Sequence, residues 1–219
     1  IQRLVGSEMC IRDRYNIVSG RADPKAITGD DLMQTHALLN VDRKLLAPFF
    51  DRVPELFDKY HNREEEKPDV YEELLYKIHR PLTSEMLDMI DDWMGLEHRS
   101  LNQDQELMLR LFLLAIRYPD TLLLESLDDV ITNDVRRISA YLHFTSHTYT
   151  IWDQDTRSGL KKLGFDIPDT TNADPFIYGA YVGTIELIKD LAPFTCFLEH
   201  DVPRQRLFQA AIAQYGREA

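Results

Sequence analysis

Residues 131–165 read ITNDVRRISAYLHFTSHTYTIWDQDTRSGLKKLGF, and this stretch contains the clearest signals for the fold. Asp134 is a favoured N-cap residue and predicts a helix through the apolar residues that follow it. Residues 145–152 are rich in threonine and aromatic side chains. They predict an extended connector rather than a strand, because no partner strand is evident. Asp153 then predicts the N-cap of a second helix. The stretch is therefore expected to fold as helix, connector and helix.

Helix signals also dominate the rest of the chain. Residues that commonly begin a helix precede most of the other periodic apolar segments. They are Thr28, Pro68, Thr83 or Ser84, Asn102, Asp174 with Pro175, and Pro203. A further helical segment, 42–61, contains Pro48 and Pro54 and is expected to be broken there. Residues 63–67 (REEEK) have no apolar side chain and are expected to form an exposed loop. These patterns predict an all-α fold, a compact multi-helix domain.

The most apolar segment of the chain is residues 107–116, which only Arg110 interrupts. A helix that is apolar on nearly all sides is usually buried. We therefore predict that the helix that begins after Asn102 is the central helix of the core.

The composition favours an intracellular protein. Apolar residues make up 44% of the 219 residues, which is enough for a sizeable core. The N-terminus lacks the apolar stretch of a secretory signal, and no apolar run approaches the roughly 18 residues that a membrane span needs. Two cysteines, Cys10 and Cys196, are too few for a disulfide framework or a four-cysteine zinc site. We expect a cytoplasmic protein that needs no cofactor and does not bind membranes.

The first residues have an unusual sequence. Residues 8–14 read EMCIRDR, which resembles one reading frame of the transposase mosaic-end adapter used to prepare sequencing libraries. We therefore predict that residues 1–14 are an artefactual or disordered tail that should be left out of the fold. Residues 15–219 are predicted to form a single all-helical domain, in which residues 15–67 can form an N-terminal helical cap.

The charge distribution limits the partners. A formal net charge of −12 opposes broad attraction to phosphate backbones or anionic membranes. Residues 134–162 differ from the rest, because they carry five cations against three aspartates. The cations are Arg136, Arg137, Arg157, Lys161 and Lys162. This stretch is the candidate for a local contact with DNA.

The order of elements in residues 131–165 resembles the core of the helix-hairpin-helix DNA glycosylase superfamily. In that superfamily a hairpin and its second helix lead through a connector to a Pro-Val-Asp-like tripeptide, whose aspartate opens the next helix. Here residues 151–153 (Ile-Trp-Asp) take the place of that tripeptide. The C-terminal segment, with Arg204, Leu207-Phe208 and Tyr215-Gly216, is similar to a divergent branch of the same fold. Elsewhere the resemblance extends only to the order of the helices.

The resemblance implies a catalytic role for Asp153. Cleavage of a glycosidic bond builds positive charge on the sugar, and a nearby carboxylate stabilises that state and can orient the attacking water. The resemblance also implies substrate-binding residues: aromatic rings that stack on an extruded base, and arginines of the basic stretch. These residues are Trp152, Tyr149, Tyr141, Arg136, Arg137 and Arg157.

The sequence also departs from the superfamily. The family's hairpin carries a Leu-Pro-Gly-Val-Gly-like turn whose amides hold a DNA phosphate, whereas residues 130–134 read VITND, without glycine or proline. Members that also cut the strand use a lysine, and Asp134 stands in its place. Only Cys196 lies outside residues 1–14, so the iron–sulfur cluster of some relatives is excluded. The resemblance thus implies a monofunctional base-excision enzyme without a cofactor.

Two other interpretations of the residues stay open. Asp153 can be a simple helix cap, with Arg157 four residues later as an ordinary ion-pair partner. The whole protein can be a non-catalytic helical interaction module, prophage- or defence-linked, that retains the fold and binds a protein partner. The acidic composition and the missing glycine hairpin favour this second class of function. The position of Asp153 and the local basic stretch favour the glycosylase.

A pair of histidines offers a weak metal-binding pattern. His143 and His147 stand four residues apart, which would place both imidazoles on one face of a continuous helix. The pattern lacks the glutamate of the zinc-protease motif, and the threonine-rich residues between and after the histidines disfavour a continued helix. We predict a buried or capping histidine and no metal site.

Deletion of residues 1–14 is expected to change the melting temperature by no more than about 2 °C, because a tail outside the fold contributes little to stability. Scanning calorimetry of the full and the shortened chain measures the difference. A much larger loss would show that these residues pack against the domain.

Overall fold

The two helices and the connector predicted within residues 134–164 are present in the observed fold. A computed structural model describes residues 43–79, 82–115, 127, 130, 134–171, 173–196 and 201–218. The chain divides into two units, Ile1–Asp42 and Arg43–Ala219, and the described residues all belong to the second unit. The tail 1–14, the helix that begins at Thr28 and most of the suggested cap 15–67 lie outside the described residues.

The described residues form nine α-helices and two short 3₁₀ helices, and they contain no β-strand. The α-helices are α1 (Arg43–Phe50), α2 (Val53–His61), α3 (Pro68–Lys77), α4 (Ser84–Met94), α5 (Gln103–Ala115), α6 (Val135–Thr145), α7 (Gln154–Lys162), α8 (Pro175–Leu191) and α9 (Arg204–Arg217). The 3₁₀ helices are Glu64–Glu66 and Phe194–Cys196. The prediction of an all-α fold is confirmed for this part of the chain. None of these helices is both long and apolar enough to cross a membrane.

Helix boundaries follow the capping residues of the sequence. The Thr83 hydroxyl accepts a hydrogen bond from the Met86 amide at the start of α4, and the helix stops at Gly95, whose φ is 66°. At the start of α5, Asn102 and Gln105 each accept a hydrogen bond from the backbone amide of the other. This reciprocal pair is a capping box. Local sequence therefore sets these helix ends.

The expected break within residues 42–61 lies between α1 and α2. Pro48 stays inside α1, so the helix does not end there, whereas Pro54 lies in the first turn of α2. Proline is tolerated in a first turn because the amide it lacks has no partner within the helix. Pro68 begins α3 for the same reason.

The central helix of the core is α9, and the prediction that residues 107–116 form it is wrong for the described residues. Every residue of α9 from Gln205 to Gln214 is buried, and the helix packs against α2, α7 and α8. On α5 only one side is buried, through Leu109 and Leu113. The exposed apolar side chains of α5 are Leu107, Met108 and Leu111.

The error has a physical cause. Apolar content alone is an incomplete guide to which helix is buried. A helix with polar side chains can be more deeply buried than an apolar one if those side chains find hydrogen-bond partners in the core. In α9 the buried polar side chains bind other buried groups: Gln205 donates to Thr150 Oγ1 at 3.0 Å, and Gln209 donates to the Ile151 carbonyl oxygen at 2.7 Å. A helix with many polar residues can therefore lie at the centre, because side-chain donors such as those of Gln205 and Gln209 find acceptors there.

Two glycines let α7 and α9 approach until their backbones touch. A Cβ atom at Gly159 in α7 would overlap the carbonyl oxygen of Ile212 in α9. A Cβ atom at Gly216 in α9 would overlap the carbonyl oxygen of Asp155. Both glycines lie within helices, so they are needed for space and not for an unusual backbone conformation. This close contact fixes the start of α7 against the central helix.

The connector between α6 and α7 is held by side chains of three helices. An extended segment without a partner strand must find hydrogen-bond partners for its buried backbone groups elsewhere. The Ser139 hydroxyl accepts from the Trp152 amide (2.8 Å), Tyr178 donates to the Thr150 carbonyl (2.9 Å), and Tyr181 donates to the Ile151 carbonyl (2.7 Å). The expected connector is thus observed, and its end, where α7 begins, has a fixed position.

Gly159→Ala is expected to lower the free energy of unfolding by about 2 kcal/mol or more, because the new methyl group has no space between α7 and α9. Gly183→Ala in α8 is the matched control, since a Cβ atom there meets no other atom within 4 Å. Alanine is the better helix former, so the control is expected to be neutral or to stabilise by about 0.5–1 kcal/mol. Urea unfolding measures both variants. Equal effects would contradict the close helix contact.

Candidate functional site

Asp153 lies in the wall of a cleft with a volume of about 560 Å³. The cleft is lined by residues of several elements: α2, the first 3₁₀ helix, the end of α4, the start of α6, the connector, the start of α7, and α9. Small-molecule sites commonly have volumes of about 300–1,000 Å³. Trp152, Arg136 and Arg157 line the same cleft, so four of the seven predicted site residues meet there.

The Asp153 carboxylate is held by three hydrogen bonds. One oxygen accepts from the Thr156 amide at 3.0 Å, which makes Asp153 the N-cap of α7. The other accepts from the Thr156 hydroxyl and from Gln209 Nε2, the latter at 3.1 Å. The ion pair suggested for Arg157 is not formed, because its Nε donates to the backbone oxygen of Asp153 at 3.3 Å. Among the described residues Asp153 makes no direct ion pair, and its charge interacts with that of the buried Arg206 guanidinium.

Trp152 and Arg157 form part of the cleft wall. The Arg157 guanidinium lies 4.7 Å from the centre of the Trp152 ring, and the Tyr181 ring packs against the indole at 4.9 Å with its edge. Arg157 also donates to the Thr170 carbonyl oxygen at 2.5 Å and lies 3.2 Å from the Asp169 carboxylate. The ring of Trp152 is therefore packed between the guanidinium of Arg157 and the ring of Tyr181.

Three predicted site residues, Tyr141, Tyr149 and Arg137, lie in the core and not in the cleft. The Tyr141 hydroxyl donates to both carboxylate oxygens of Asp91, at 2.9 and 3.0 Å. Burial raises the pKa of Tyr141 above its usual range, and the charge of Asp91 raises it further. Tyr149 is fully buried, and its carbonyl oxygen accepts from His143 Nδ1. These two tyrosines therefore have structural roles.

Arg137 and Arg136 have different roles although they are neighbours. Successive residues of an α-helix point about 100° apart, so only one of them can face the cleft. Arg137 is buried, donates to the Glu97 carbonyl oxygen at 2.8 Å and lies 3.4 Å from the Asp91 carboxylate. Arg136 is exposed and lines the cleft. Arg137 therefore lies outside this cleft, although it is the neighbour of Arg136 in the sequence.

Several cleft residues were not identified from the sequence. Arg217 contacts the carboxylates of Asp155 and Glu66, the second at 3.2 Å. Arg206 is buried among three aromatic rings and lies 3.8 Å from the other Glu66 oxygen. The rings are Tyr60, Tyr71 and Trp93, with centres 5.3–5.6 Å from the guanidinium carbon. Residues 63–67 are therefore not a simple exposed loop, because Glu66 anchors two arginines of α9.

The sequence contained one signal that α9 has a buried polar face, namely the spacing of its glutamines. Gln205 and Gln209 are four residues apart and so lie on one face of the helix. The same helix contains the apolar residues Leu207 and Phe208. This combination is compatible with a helix that is buried on its polar face as well. The sequence cannot show which residues they meet, since their partners lie more than fifty residues earlier.

His143 and His147 do not form a metal site. Helix α6 ends at Thr145, so the two histidines are not on one continuous helix. His143 Nδ1 donates to the Tyr149 carbonyl oxygen at 2.8 Å, and its Nε2 accepts from the Tyr71 hydroxyl at 2.8 Å. The described part of the chain has no group of three residues that could hold a metal ion.

Comparisons with models of known protein families, with curated proteins and with solved structures found no match for this chain. The fold and the site define an all-α protein with a polar cleft, in which one carboxylate caps a helix beside the central helix.

Stability is expected to fall as the pH drops below about 6.5, and His143 is a main cause. Burial lowers the pKa of His143 to about 3 in the folded protein. The unfolded chain binds the proton near the ordinary pKa of about 6.5, so the stabilisation is complete above that value and is lost toward pH 3. The expected loss from His143 at pH 5 is about 2 kcal/mol.

Urea unfolding at pH 7 and pH 5 tests this. His143→Gln is expected to show a smaller loss than the native chain. The control is His98→Gln: His98 is exposed, and its hydrogen bond with Asp92 raises its pKa, so its removal should not reduce the acid-induced loss. If the native chain and His143→Gln lose the same stability between pH 7 and pH 5, His143 is not the cause of the acid-induced loss.

Proposed function

We propose that this protein hydrolyses the N-glycosidic bond between a nucleobase and its sugar, with Asp153 as the catalytic carboxylate. The observation that carries the proposal is a carboxylate without an ion-pair partner among the described residues, held in the wall of a cleft of small-molecule size. Tyr60, Trp93 and Trp152 also line this cleft, and their largely buried rings pack against the guanidinium groups of Arg206 and Arg157.

The reaction needs one carboxylate at a defined position. The bond between C1′ and the base nitrogen breaks, and its electron pair stays with the nitrogen. Water adds a hydroxyl group to C1′, and the released base takes up one proton. Asp153 stabilises the positive charge that develops on the sugar and accepts the proton of the attacking water. Thr156 and Gln209 fix the orientation of the carboxylate for this role.

The resemblance stated for residues 131–165 supports the same chemistry. The helix, connector and aspartate-capped helix that carry the resemblance are the observed α6, residues 146–152 and α7. On this basis a DNA base is the substrate that the resemblance implies. The position of Asp153 as a helix cap does not compete with a catalytic role, because the cap uses one carboxylate oxygen and the residue lines the cleft.

A non-catalytic interaction module is the second candidate function. The exposed apolar side chains of α5 favour it, because contiguous exposed apolar residues commonly mark contacts with another protein. In this case Asp153 would serve only as the cap of α7.

Asp153→Asn is expected to reduce base release by two orders of magnitude or more, because a neutral amide cannot stabilise the developing positive charge. Stability should fall by about 1 kcal/mol, since asparagine caps helices well but presents an amide group to Gln209 Nε2. Chromatography of bases released from damaged and undamaged oligonucleotides and from nucleotides measures the activity.

The matched control is Asp174→Asn. Asp174 caps α8 by accepting hydrogen bonds from the Phe176 and Ile177 amides, and it does not line the cleft. This variant should retain full activity. If the native chain releases no base from any of these substrates, the interaction module is the correct function.

A further inference from the structure

Most cations of the basic stretch 134–162 are engaged within the protein. Arg137 and Arg157 are buried and bind backbone and carboxylate oxygens. Lys162 donates to the carbonyl oxygens of Tyr215 and Glu218. Only Arg136 and Lys161 of the five are exposed without such a contact in the described residues. Because a nucleic-acid strand is bound through several phosphates at once, this stretch is a poor match for a continuous backbone.

The charges of the cleft are also mostly paired. Four carboxylates and four arginines line it. Arg217 contacts Asp155, Glu65 and Glu66, and Arg206 lies near Glu66. Arg157 pairs with Asp169 beside the cleft. Within the described residues this leaves one anion, Asp153, and one cation, Arg136, without an ion-pair partner.

From this charge pattern we infer that the cleft binds a single nucleoside 5′-monophosphate, and not a nucleic-acid strand. The inference rests on the proposed function and gives it a substrate class. A planar guanidinium binds one phosphate with two parallel hydrogen bonds, so Arg136 suits a terminal phosphate. Asp153 in the same cleft then serves the sugar.

The cleft rim opposes a longer ligand. Glu65 is largely exposed, and Asp155 is partly exposed. Arg217 contacts both carboxylates, so this group offers no free positive charge to the phosphates that would follow or precede the bound nucleotide in a strand. The net charge of −12 of the whole chain repels such phosphates at low salt.

Calorimetric titration of the full chain separates these ligands. The probes are the four common ribonucleoside 5′-monophosphates, the corresponding nucleosides and a short single-stranded oligonucleotide. At least one monophosphate is expected to bind about tenfold more tightly than its nucleoside and than the oligonucleotide. The affinity for this monophosphate should depend only weakly on salt. A plot of log affinity against log salt concentration should have the small slope expected for roughly one phosphate contact. The Asp153→Asn variant should bind the nucleotide without releasing the base.

Arg136→Gln tests the phosphate contact. It is expected to remove the preference for the monophosphate over the nucleoside, while Lys161→Gln, which removes an exposed cation outside the cleft, leaves that preference unchanged. An unchanged preference in Arg136→Gln would overturn the assignment of this residue. Tighter binding of the oligonucleotide with a steep salt dependence would overturn the inference as a whole.

The two proposals fail in different ways. Nucleotide binding without base release by the native chain would leave the inference standing and contradict the proposed function. Base release from oligonucleotides without nucleotide binding would do the reverse. If the native chain neither binds a nucleotide nor releases a base, both proposals are contradicted.

Discussion

The backbone contact between α7 and α9 is the constraint on which the rest of the site depends. Gly159 and Gly216 remove the side chains that would keep the two helices apart. Because the helices touch, Gln209 of α9 reaches the Asp153 carboxylate, and Arg217 reaches Asp155 in the first turn of α7. Larger residues at either glycine would separate the carboxylate from the central helix that orients it.

The core of this protein contains buried polar groups as well as apolar side chains. These polar groups fix the connector that leads to the cleft. Burying polar groups costs free energy unless each finds a partner. Backbone groups of residues 150–152, just before Asp153, meet this requirement through Ser139, Tyr178, Tyr181 and Gln209. Since these bonds come from three different helices, the connector can move only if several helices shift together. Asp153 is therefore placed on a rigid support, as a catalytic group requires.

The pairing of charges limits the net electrostatic field in the cleft. Its arginines are all close to carboxylates of the protein except Arg136, so the many charges produce little net field. The same pairing explains why a net-positive stretch of sequence does not become a basic surface: buried arginines such as Arg137 neutralise internal carboxylates instead.

The sequence by itself determined the local features: the all-α class, the caps at Thr83, Asn102 and Asp153, the connector, and Asp153 as the leading candidate for a site. These depend on hydrogen bonds and periodicity within a few residues. Only the tertiary structure decided that α9 and not α5 is central, that Tyr141, Tyr149 and Arg137 are structural, and that Gln209 and Arg206 belong to the cleft. Those facts depend on which helix faces meet, and contacts between residues far apart in the chain leave no short-range pattern in the sequence.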